Sequence, residues 1–293
     1  MKRLVTALLA LSMALSLAAC GGSSSSSSSS SSAPAASGSA APAASSSAPA
    51  AAESTDSDAA YIQGNGVLKI GYTYFEPMNY NDENGQLTGF DTEYAKRVCE
   101  ELGLTPEFIE INWDTKEIEL NSKNIDCIWN GTTVTEERKE NMLFGDPYVV
   151  NAQVIVIRKA DAEKYTDLAS LAGARMVAEV GSSGEDVIET DEILSQNEYN
   201  AMGKQIDCFL EVKSNQADAA VIDMTMAMTY CQEGTDYADL YMIPDLRLAE
   251  EQNAIAFRKG SDFAAVVNDV TKKLVDEGFM QQLADKYQLT LWS

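Results

Sequence analysis

The segment Val67-Leu-Lys-Ile-Gly-Tyr72 is a short apolar run, and the chain that follows it repeats an order of strand, helix and strand. Asp91 opens a predicted helix whose apolar residues recur at helical spacing until Gly103 ends it. Apolar runs at 107–111 and 125–129 predict two more strands, separated by a short predicted helix. Strands joined by helical crossovers pair in parallel, so this region predicts an α/β lobe with a parallel sheet.

The second half of the chain repeats the pattern, which predicts a second α/β lobe. Strands are predicted at 154–157, 175–180 and 218–222, with a helix over 184–195. A further strand at 253–257 precedes two amphipathic helices. Periodicity alone does not assign these last elements to either lobe.

The charged residues are strongly unbalanced, which narrows the classes of function. The 293 residues include 21 Lys or Arg, 45 Asp or Glu and no His, for a net charge of -24. Nucleic acids and anionic lipid surfaces are bound through cations, so this balance argues against both as partners. The lack of histidine excludes Ser-His-Asp and Cys-His pairs and HExxH zinc sites. Binding proteins and enzymes that use carboxylates, Lys or Tyr remain, and we expect neither a metal nor a cofactor.

The five cysteines show no CxxC spacing, which argues against a zinc ribbon or a thioredoxin motif. Cys20 stands apart, whereas the other four lie in apolar stretches: Cys99, Cys127, Cys208 and Cys231. Buried free thiols are favoured there, with one disulfide as the alternative.

The N-terminus has the pattern of an export signal, predicted at residues 1–19. Two basic residues precede sixteen uncharged, mostly apolar ones, fewer than the roughly 20 needed by the alternative, a transmembrane anchor. The run ends in Leu17-Ala18-Ala19-Cys20, which resembles a bacterial lipobox and implies that lipid is attached to Cys20. Residues 20–60, rich in Ser, Ala and Pro, are predicted to form a disordered tether. The implied location is the extracytoplasmic face of the cell membrane, in a Gram-positive bacterium.

Arg138 lies in the polar segment that follows the predicted strand at 125–129. Thr135 is a good N-cap, so Arg138 falls in the first turn of a helix, where a cation opposes the helix dipole. This unfavourable placement suggests another purpose, such as a fork for a carboxylate. The alternative is an exposed arginine paired with Glu136 or Glu137.

Two further polar segments lie at predicted strand ends, where open α/β sheets bind ligands. Val180-Gly-Ser-Ser-Gly-Glu-Asp186 leads into a predicted helix whose first N–H groups suit either a small anion or ordinary capping. Asp223 ends an apolar run and either caps the following helix or meets a cation in a cleft. The sequence pattern leaves both choices open.

Seven motifs occur in a specific order along the chain: Gly71–Tyr80, Leu87–Asp91, Ile125–Gly131, Thr135–Arg138, Phe144–Tyr148, Gly181–Ser183 and Ala217–Asp223. In this order they resemble the polar amino-acid-binding proteins of ABC importers, bacterial solute-binding protein family 3, over residues 61–293. The resemblance implies the type II periplasmic-binding-protein fold, with two α/β lobes joined by two crossing hinge strands. It also implies a first lobe of residues 61–148 plus 253–293 and a second lobe of residues 149–252.

The resemblance also assigns roles to individual residues. Arg138 would pair with the α-carboxylate of a free amino acid and Asp223 with its α-ammonium. Phe75 would stack on the ligand side chain. The remaining residues that the resemblance places at the ligand are Asn130, through its carbonyl, Gly131, Thr133, Ser182 and Ser183. The expected partners are an amino acid and an ABC transporter permease, and the expected state is a monomer with a lipid anchor.

The chain departs from the family pattern at residues that touch the pocket. Asn130-Gly131-Thr132 replaces a Ser-rich turn, and Met78 replaces an aromatic residue, so the identity of the amino acid is not implied. The roles of Glu76, Met78 and Trp129 in specificity stay open, with Glu76 expected at the rim of the site. The alternative function is a lyase or dehydratase built on the same fold, with a carboxylate such as Glu76 as a general acid.

Overall fold

The computed structural model describes residues 57–293; the predicted signal segment, Cys20 and the tether as far as residue 56 lie outside this range. The described helices are α1 Asp58–Asn65, α2 Phe90–Leu102, α3 Lys116–Asn121, α4 Glu136–Asn141, α5 Ser183–Thr190, α6 Gln205–Lys213, α7 Met224–Tyr230, α8 Phe263–Asp276 and α9 Phe279–Tyr287. The described strands are β1 Val67–Tyr72, β2 Tyr80–Asn81, β3 Leu87–Thr88, β4 Thr105–Glu110, β5 Cys127–Ile128, β6 Met142–Phe144, β7 Val149–Arg158, β8 Arg175–Glu179, β9 Glu198–Met202, β10 Ala219–Asp223, β11 Leu240–Asn253 and β12 Ala256–Arg258.

The first lobe is built on a five-stranded sheet in the order β4-β1-β5-β12-β6. Strand β1 pairs in parallel with β4 and β5, which confirms the predicted parallel arrangement, and β12 pairs antiparallel with β5 and β6. Helix α2 buries Tyr94, Ala95, Val98 and Cys99 of the apolar stripe predicted from helical spacing, and it begins one residue earlier than predicted, at Phe90. Gly103 ends this helix in the left-handed region, at φ 67°, which glycine adopts without strain.

The second lobe has a sheet in the order β11-β7-β10-β8-β9. Strands β7 and β11 pair antiparallel from Arg158 opposite Leu240 to Val149 opposite Asn253, and at this end they reach the first lobe. There Asn253 forms a bridge with Thr133. These are the two crossing strands of the fold. Strand β12 then joins the first sheet, and α8 and α9 pack on α2, so the C-terminal helices return to the first lobe.

Several element boundaries differ from the sequence predictions. The helix predicted over 184–195 ends at Thr190, because the Asp191 carboxylate accepts the backbone N–H groups of Ile193 and Leu194 and turns the chain. The strand predicted at 125–129 is only two residues long, and β9 and α6 were not predicted. The tether predicted over 20–60 reaches too far, because α1 begins at Asp58.

The four cysteines of the described region are free thiols, as the favoured interpretation predicts. Cys99, Cys127 and Cys208 are buried in the cores of the lobes. None of the helices within residues 57–293 combines the length and the apolar character needed to cross a membrane.

Candidate functional site

A cavity lies between the two lobes at the carboxyl ends of β1, β5, β8 and β10, as expected for open α/β sheets. We call it the cleft cavity. It is lined by Thr73, Tyr74, Phe75, Trp113, Asn130, Gly131, Thr133, Arg138, Glu179, Ser182, Ser183, Gln205 and Asp223. All eight residues that the resemblance placed at the ligand therefore lie on its wall.

Arg138 faces this cavity and is buried, with 7% of its surface exposed. The Thr135 side chain caps α4 by accepting the Arg138 N–H at 3.1 Å, as its predicted N-cap role requires. The guanidinium donates to the Thr133 carbonyl in the first lobe and to the Gly181 carbonyl in the second, both at 3.1 Å. Its partners are therefore neutral carbonyl groups, and the alternative of an exposed arginine paired with Glu136 or Glu137 is wrong.

Asp223 faces the cavity from the second lobe. Although α7 begins directly after it, its side chain makes no capping hydrogen bond, so the helix-cap alternative is wrong. Its carboxylate instead accepts from the side-chain amides of Asn151, Gln153 and Gln205, the last two at 3.1 and 2.7 Å. Burial raises the pKa of Asp223, and these amides together with the charge of Arg138 oppose the increase.

Sequence reasoning missed a second buried carboxylate, Glu251, on the hinge strand β11. It accepts from Thr133 Oγ1 at 3.0 Å and from the same amides of Asn151 and Gln153, at 3.1 and 3.0 Å. Burial, followed by the charge of Asp223, raises the pKa of Glu251 to about 7. Asn151 and Gln153 alternate with apolar residues along β7, and this polar alternation was the available sequence signal.

Gly131 is held in place rather than free. Its N–H donates to the buried carboxylate of Asp91 at 2.6 Å, and its carbonyl accepts from the Asn253 side chain at 2.6 Å. A Cβ atom at this position would lie 2.6 Å from the Phe75 ring, and φ is 55°, so only glycine fits without rearrangement. The Gly131 N–H is therefore already occupied by Asp91.

Asn130 also contributes to the structure of the loop. Its side chain accepts from the Thr73 N–H at 2.9 Å and from Asn79 Nδ2 at 2.8 Å, and it donates to Thr73 Oγ1 at 2.7 Å. These bonds join the loops that follow β1 and β5. The carbonyl oxygen of Asn130 is the atom that the resemblance assigns to the ligand.

The two predicted serines have different surroundings. Ser182 caps α5 by accepting the Glu185 N–H at 3.2 Å, and the Glu185 carboxylate accepts the Gly181 N–H at 2.6 Å. Glu185 thus binds the N–H of the residue before the cap while Ser182 caps the helix, so part of the predicted anion site is ordinary capping. Ser183 Oγ, in contrast, is buried and has no hydrogen-bond partner within residues 57–293.

The three residues left open for specificity lie away from the centre of the cavity. Trp129 is buried in the core, where its ring packs edge-on against Tyr94 with centroids 4.8 Å apart. Met78 is also fully buried. Glu76 lines a different cavity, beside Lys286, and burial raises its pKa. Trp113, which the sequence did not single out, lies on the cavity wall instead.

Comparisons with known proteins point in one direction. The sequence model of the bacterial extracellular solute-binding proteins, family 3, matches residues 68–290. The arginine-binding extracellular protein ArtP of Bacillus subtilis (strain 168) is 29% identical over 215 residues, which cover 73% of this chain and 82% of ArtP. The L-cystine-binding protein TcyJ of Escherichia coli (strain K12) is 24% identical over 232 residues, which cover 77% of this chain and 84% of TcyJ.

A solved structure extends the comparison to the fold. The ancestral amino acid-binding protein AncCDT-1, a precursor of cyclohexadienyl dehydratase, is 28% identical and superposes with a TM-score of 0.71. The match covers 79% of this chain and 99% of that protein.

Proposed function

The chain belongs to the bacterial extracellular solute-binding proteins, family 3, and from this we propose that it captures a free amino acid between its lobes and delivers it to an ABC transporter permease. The observation that carries the proposal is the placement of Arg138 and Asp223 on opposite lobes, facing one cavity. Both are buried, and within residues 57–293 neither forms a salt bridge. A zwitterion supplies the two missing partners.

The chemistry of capture follows from the donors and acceptors that remain. Arg138 has five N–H donors and uses two on carbonyl groups, so a fork remains for the α-carboxylate. The unpartnered hydroxyl of Ser183 is a further donor for that group. Asp223 would bind the α-ammonium, with help from the Asn130 carbonyl. A ligand held in this way connects the lobes and stabilises the closed form through contacts that an open form lacks.

The other predicted contacts support these charges. We assign Phe75 to the ligand side chain and Gly131, Thr133 and Ser182 to the wall of the site. Arginine-binding and L-cystine-binding proteins are among the relatives, which favours a free amino acid over other small solutes.

Variants of the two charged residues test the proposal. A thermal-shift screen of free amino acids identifies the ligand, and calorimetry then compares Arg138→Met and Asp223→Asn with the parent protein. Removing one partner of an enclosed charge pair costs about 2 to 5 kcal/mol, so each variant should bind about 30-fold to several thousand-fold more weakly. Arg97→Met, a matched control in a partly exposed ion pair on α2, should bind like the parent.

Ligand analogues make the test specific. Replacing the ligand by its amide should weaken binding to the parent far more than binding to Arg138→Met, which has no guanidinium to lose its partner. The decarboxylated amine should likewise bind poorly to the proteins that retain Arg138, because it leaves the guanidinium without a partner. If both variants bind within about threefold of the parent while circular dichroism shows intact folds, the site lies elsewhere.

We further propose that the chain is a carrier and not an enzyme. The dehydratase alternative calls for a carboxylate such as Glu76 as a general acid, and Glu76 lines a different cavity from the one that Arg138 and Asp223 face. Mass spectrometry of the ligand after prolonged incubation should recover it unchanged, and formation of a product would reverse this assignment.

The location and assembly are proposed from the sequence. We propose that residues 1–19 direct export, that Cys20 carries lipid, and that the folded lobes act as a monomer on the extracytoplasmic face of a Gram-positive cell. The acidic net charge argues against electrostatic binding of the lobes to anionic lipids, so the proposed location depends on the lipid at Cys20.

A further inference from the structure

A third ionisable side chain faces the cleft cavity. Glu179, the last residue of β8, is 6% exposed and lies on the same wall as Arg138 and Asp223. Within residues 57–293, no Lys or Arg forms a salt bridge with its carboxylate. Buried carboxylates are normally paired, so one that faces a ligand cavity without a cation indicates what the ligand supplies.

The lysine whose charge acts on Glu179 is Lys116, and its ammonium group is bound by other groups. Lys116, on α3, donates to the carbonyl of Gly181 at 2.9 Å and to that of Trp113 at 3.2 Å. Its ammonium also lies 4.8 Å from the centre of the Trp113 ring. Lys116 therefore bridges the lobes and acts on Glu179 only through its charge at a distance.

After a zwitterion has bound, one carboxyl group on the cavity wall still lacks a partner of opposite charge. A bound zwitterion uses Arg138 for its carboxylate and Asp223 for its ammonium, which leaves the carboxylate of Glu179. A second positive charge on the ligand would complete the balance. A neutral or acidic side chain would leave Glu179 without a partner of opposite charge.

A second space borders the cleft cavity on the side of Glu179. This space, which we call the outer cavity, shares Thr73, Trp113 and Glu179 with the cleft cavity and continues to Asp207 and Lys204. The charge of Lys204 is used by Glu110, at 3.0 Å. A side chain that leaves the cleft cavity passes the carboxyl group of Glu179, whose ionised form a cation would stabilise.

We propose that the ligand is an amino acid whose side chain ends in a cation, and that Glu179 is the residue that selects it. The inference rests on the proposed function, because the positions of the α-carboxylate and α-ammonium determine which charge is left over. The relatives include both an arginine-binding and a cystine-binding protein, so they do not by themselves indicate whether the ligand side chain is cationic.

The protonation of Glu179 supports the same assignment. Burial, followed by the charge of Asp223, raises the pKa of Glu179 to about 8, against the opposing effects of Lys116 and the Gln205 backbone N–H; Asp207 acts in the same direction as Asp223. The free protein therefore holds a proton on Glu179 near neutral pH. A ligand cation favours the ionised form, so its binding should release that proton.

Pairs of near-isosteric amino acids test the proposal by calorimetry at pH 8. Arginine is compared with citrulline and lysine with norleucine, since each pair differs mainly in the side-chain charge. The parent should bind the cationic member of at least one pair about 30-fold more tightly, the lower bound for losing one partner of an enclosed charge pair. Glu179→Gln should reduce that preference to about threefold or less while leaving citrulline affinity within about threefold of the parent.

A matched variant and a pH series provide the controls. Asp207→Asn alters an exposed carboxylate of the outer cavity and should keep most of the preference. For the parent, affinity for the cationic ligand should rise by up to about tenfold per pH unit between pH 6 and 8, because the proton on Glu179 is then lost more easily. In Glu179→Gln this rise in affinity with pH should be much smaller. Asp223 and Glu251 contribute to the pH dependence of binding in both proteins, so some of it should remain.

The possible results separate this inference from the proposed function. If the parent binds citrulline or glutamine as tightly as arginine and lysine, or Glu179→Gln keeps the preference, the selection of a cation is wrong and amino-acid capture stands. If the parent prefers glutamine or glutamate and Glu179→Gln loses that preference, Glu179 acts as a protonated hydrogen-bond donor to the ligand side chain, which also overturns the inference. If no free amino acid binds the parent, the proposed function itself fails.

Discussion

Asp91 shows how a residue outside the ligand cavity determines the shape of the site. It is fully buried near the start of α2, and its Oδ2 accepts the Gly131 N–H at 2.6 Å and the Tyr148 hydroxyl at 3.0 Å. Its Oδ1 has no partner among the described residues. Burial raises the pKa of Asp91 to about 7, despite these two donors. The loop that carries Gly131 is therefore held by a carboxyl group that is costly to ionise.

This cost predicts a pH dependence of stability. The folded-state pKa of about 7 lies above the value of about 3.9 in an unfolded chain, so the contribution of Asp91 is full below about pH 4 and is lost as pH rises through 7. The free energy of unfolding should fall between pH 5 and 8. In Asp91→Asn, urea denaturation should show this fall reduced by at least about 1.4 kcal/mol, the value of one pKa unit.

Two features make the Asp91 experiment interpretable. Glu179 and Glu251 have raised pKa values of about 8 and 7 and remain in the variant. The free energy of unfolding of the variant should therefore still decrease with pH, but by less than that of the parent. Asp82→Asn is the control, because its carboxylate caps an exposed turn and its pKa is lowered, leaving it ionised throughout this range. An unchanged pH profile in Asp91→Asn would mean that Asp91 is ionised in the folded protein across this range.

At the scale of elements, α1 fastens the start of the folded chain to the first lobe. Ser57 caps this helix and also donates to Asp262 at 2.6 Å. Asp58 is buried and pairs with Arg258 on β12 at 2.9 Å. Arg258 also pairs with Asp126 at 3.1 Å, so it joins α1 to the segment before β5. The predicted tether boundary at residue 60 would divide this ion-pair network.

Two truncations distinguish the boundaries. A chain that begins at residue 57 should keep the melting temperature of the full protein, because it retains Asp58 and the cap of α1. A chain that begins at residue 61 leaves Arg258 with one carboxylate fewer and should lose about 2 kcal/mol or more, or roughly 4 °C. Asp58→Asn in the full chain should reproduce much of that loss. Equal melting temperatures for both truncations would make the boundary at 60 the better one.

For the whole molecule, the lobes are closed on each other by contacts from several elements. Arg138 and Lys116 of the first lobe both donate to the Gly181 carbonyl of the second. Lys204 of the second lobe pairs with Glu110 of the first at 3.0 Å. The last pair is exposed and contributes little, so a ligand that bridges Arg138 to the opposite lobe would dominate the energy of closure.

The charge of the whole molecule makes the proposed lipid at Cys20 testable. Removing Lys2 and Arg3 with the signal segment takes the net charge from -24 to -26, since (21 - 2) - 45 = -26. Such a surface gives no attraction to anionic lipids, so membrane retention would depend on the lipid alone. Cys20→Ala should move the protein to the soluble fraction with ligand affinity unchanged. Retention of the Ala variant on membranes would rule out the lipobox interpretation.

Local chemistry was readable in the sequence. A short helix was predicted between the strands at 107–111 and 125–129, where α3 lies, α2 ends before Gly103, and Thr135 caps α4. The parallel pairing of the first sheet followed from the order of its elements. Each of these features depends on residues within a few positions of one another, because helical periodicity, capping and turn conformation are local properties.

The placement of the site was decided by the tertiary structure. Whether Asp223 caps a helix or faces a cleft depends on Asn151 and Gln153, some 70 residues earlier along the chain. Glu251 meets those amides because β11 pairs with β7 in a register that places Glu251 opposite Asn151. The exposure of Glu179 to the same cavity depends on the closure of one lobe on the other. Such distances are determined by strand register and lobe packing, which no local pattern of residues encodes.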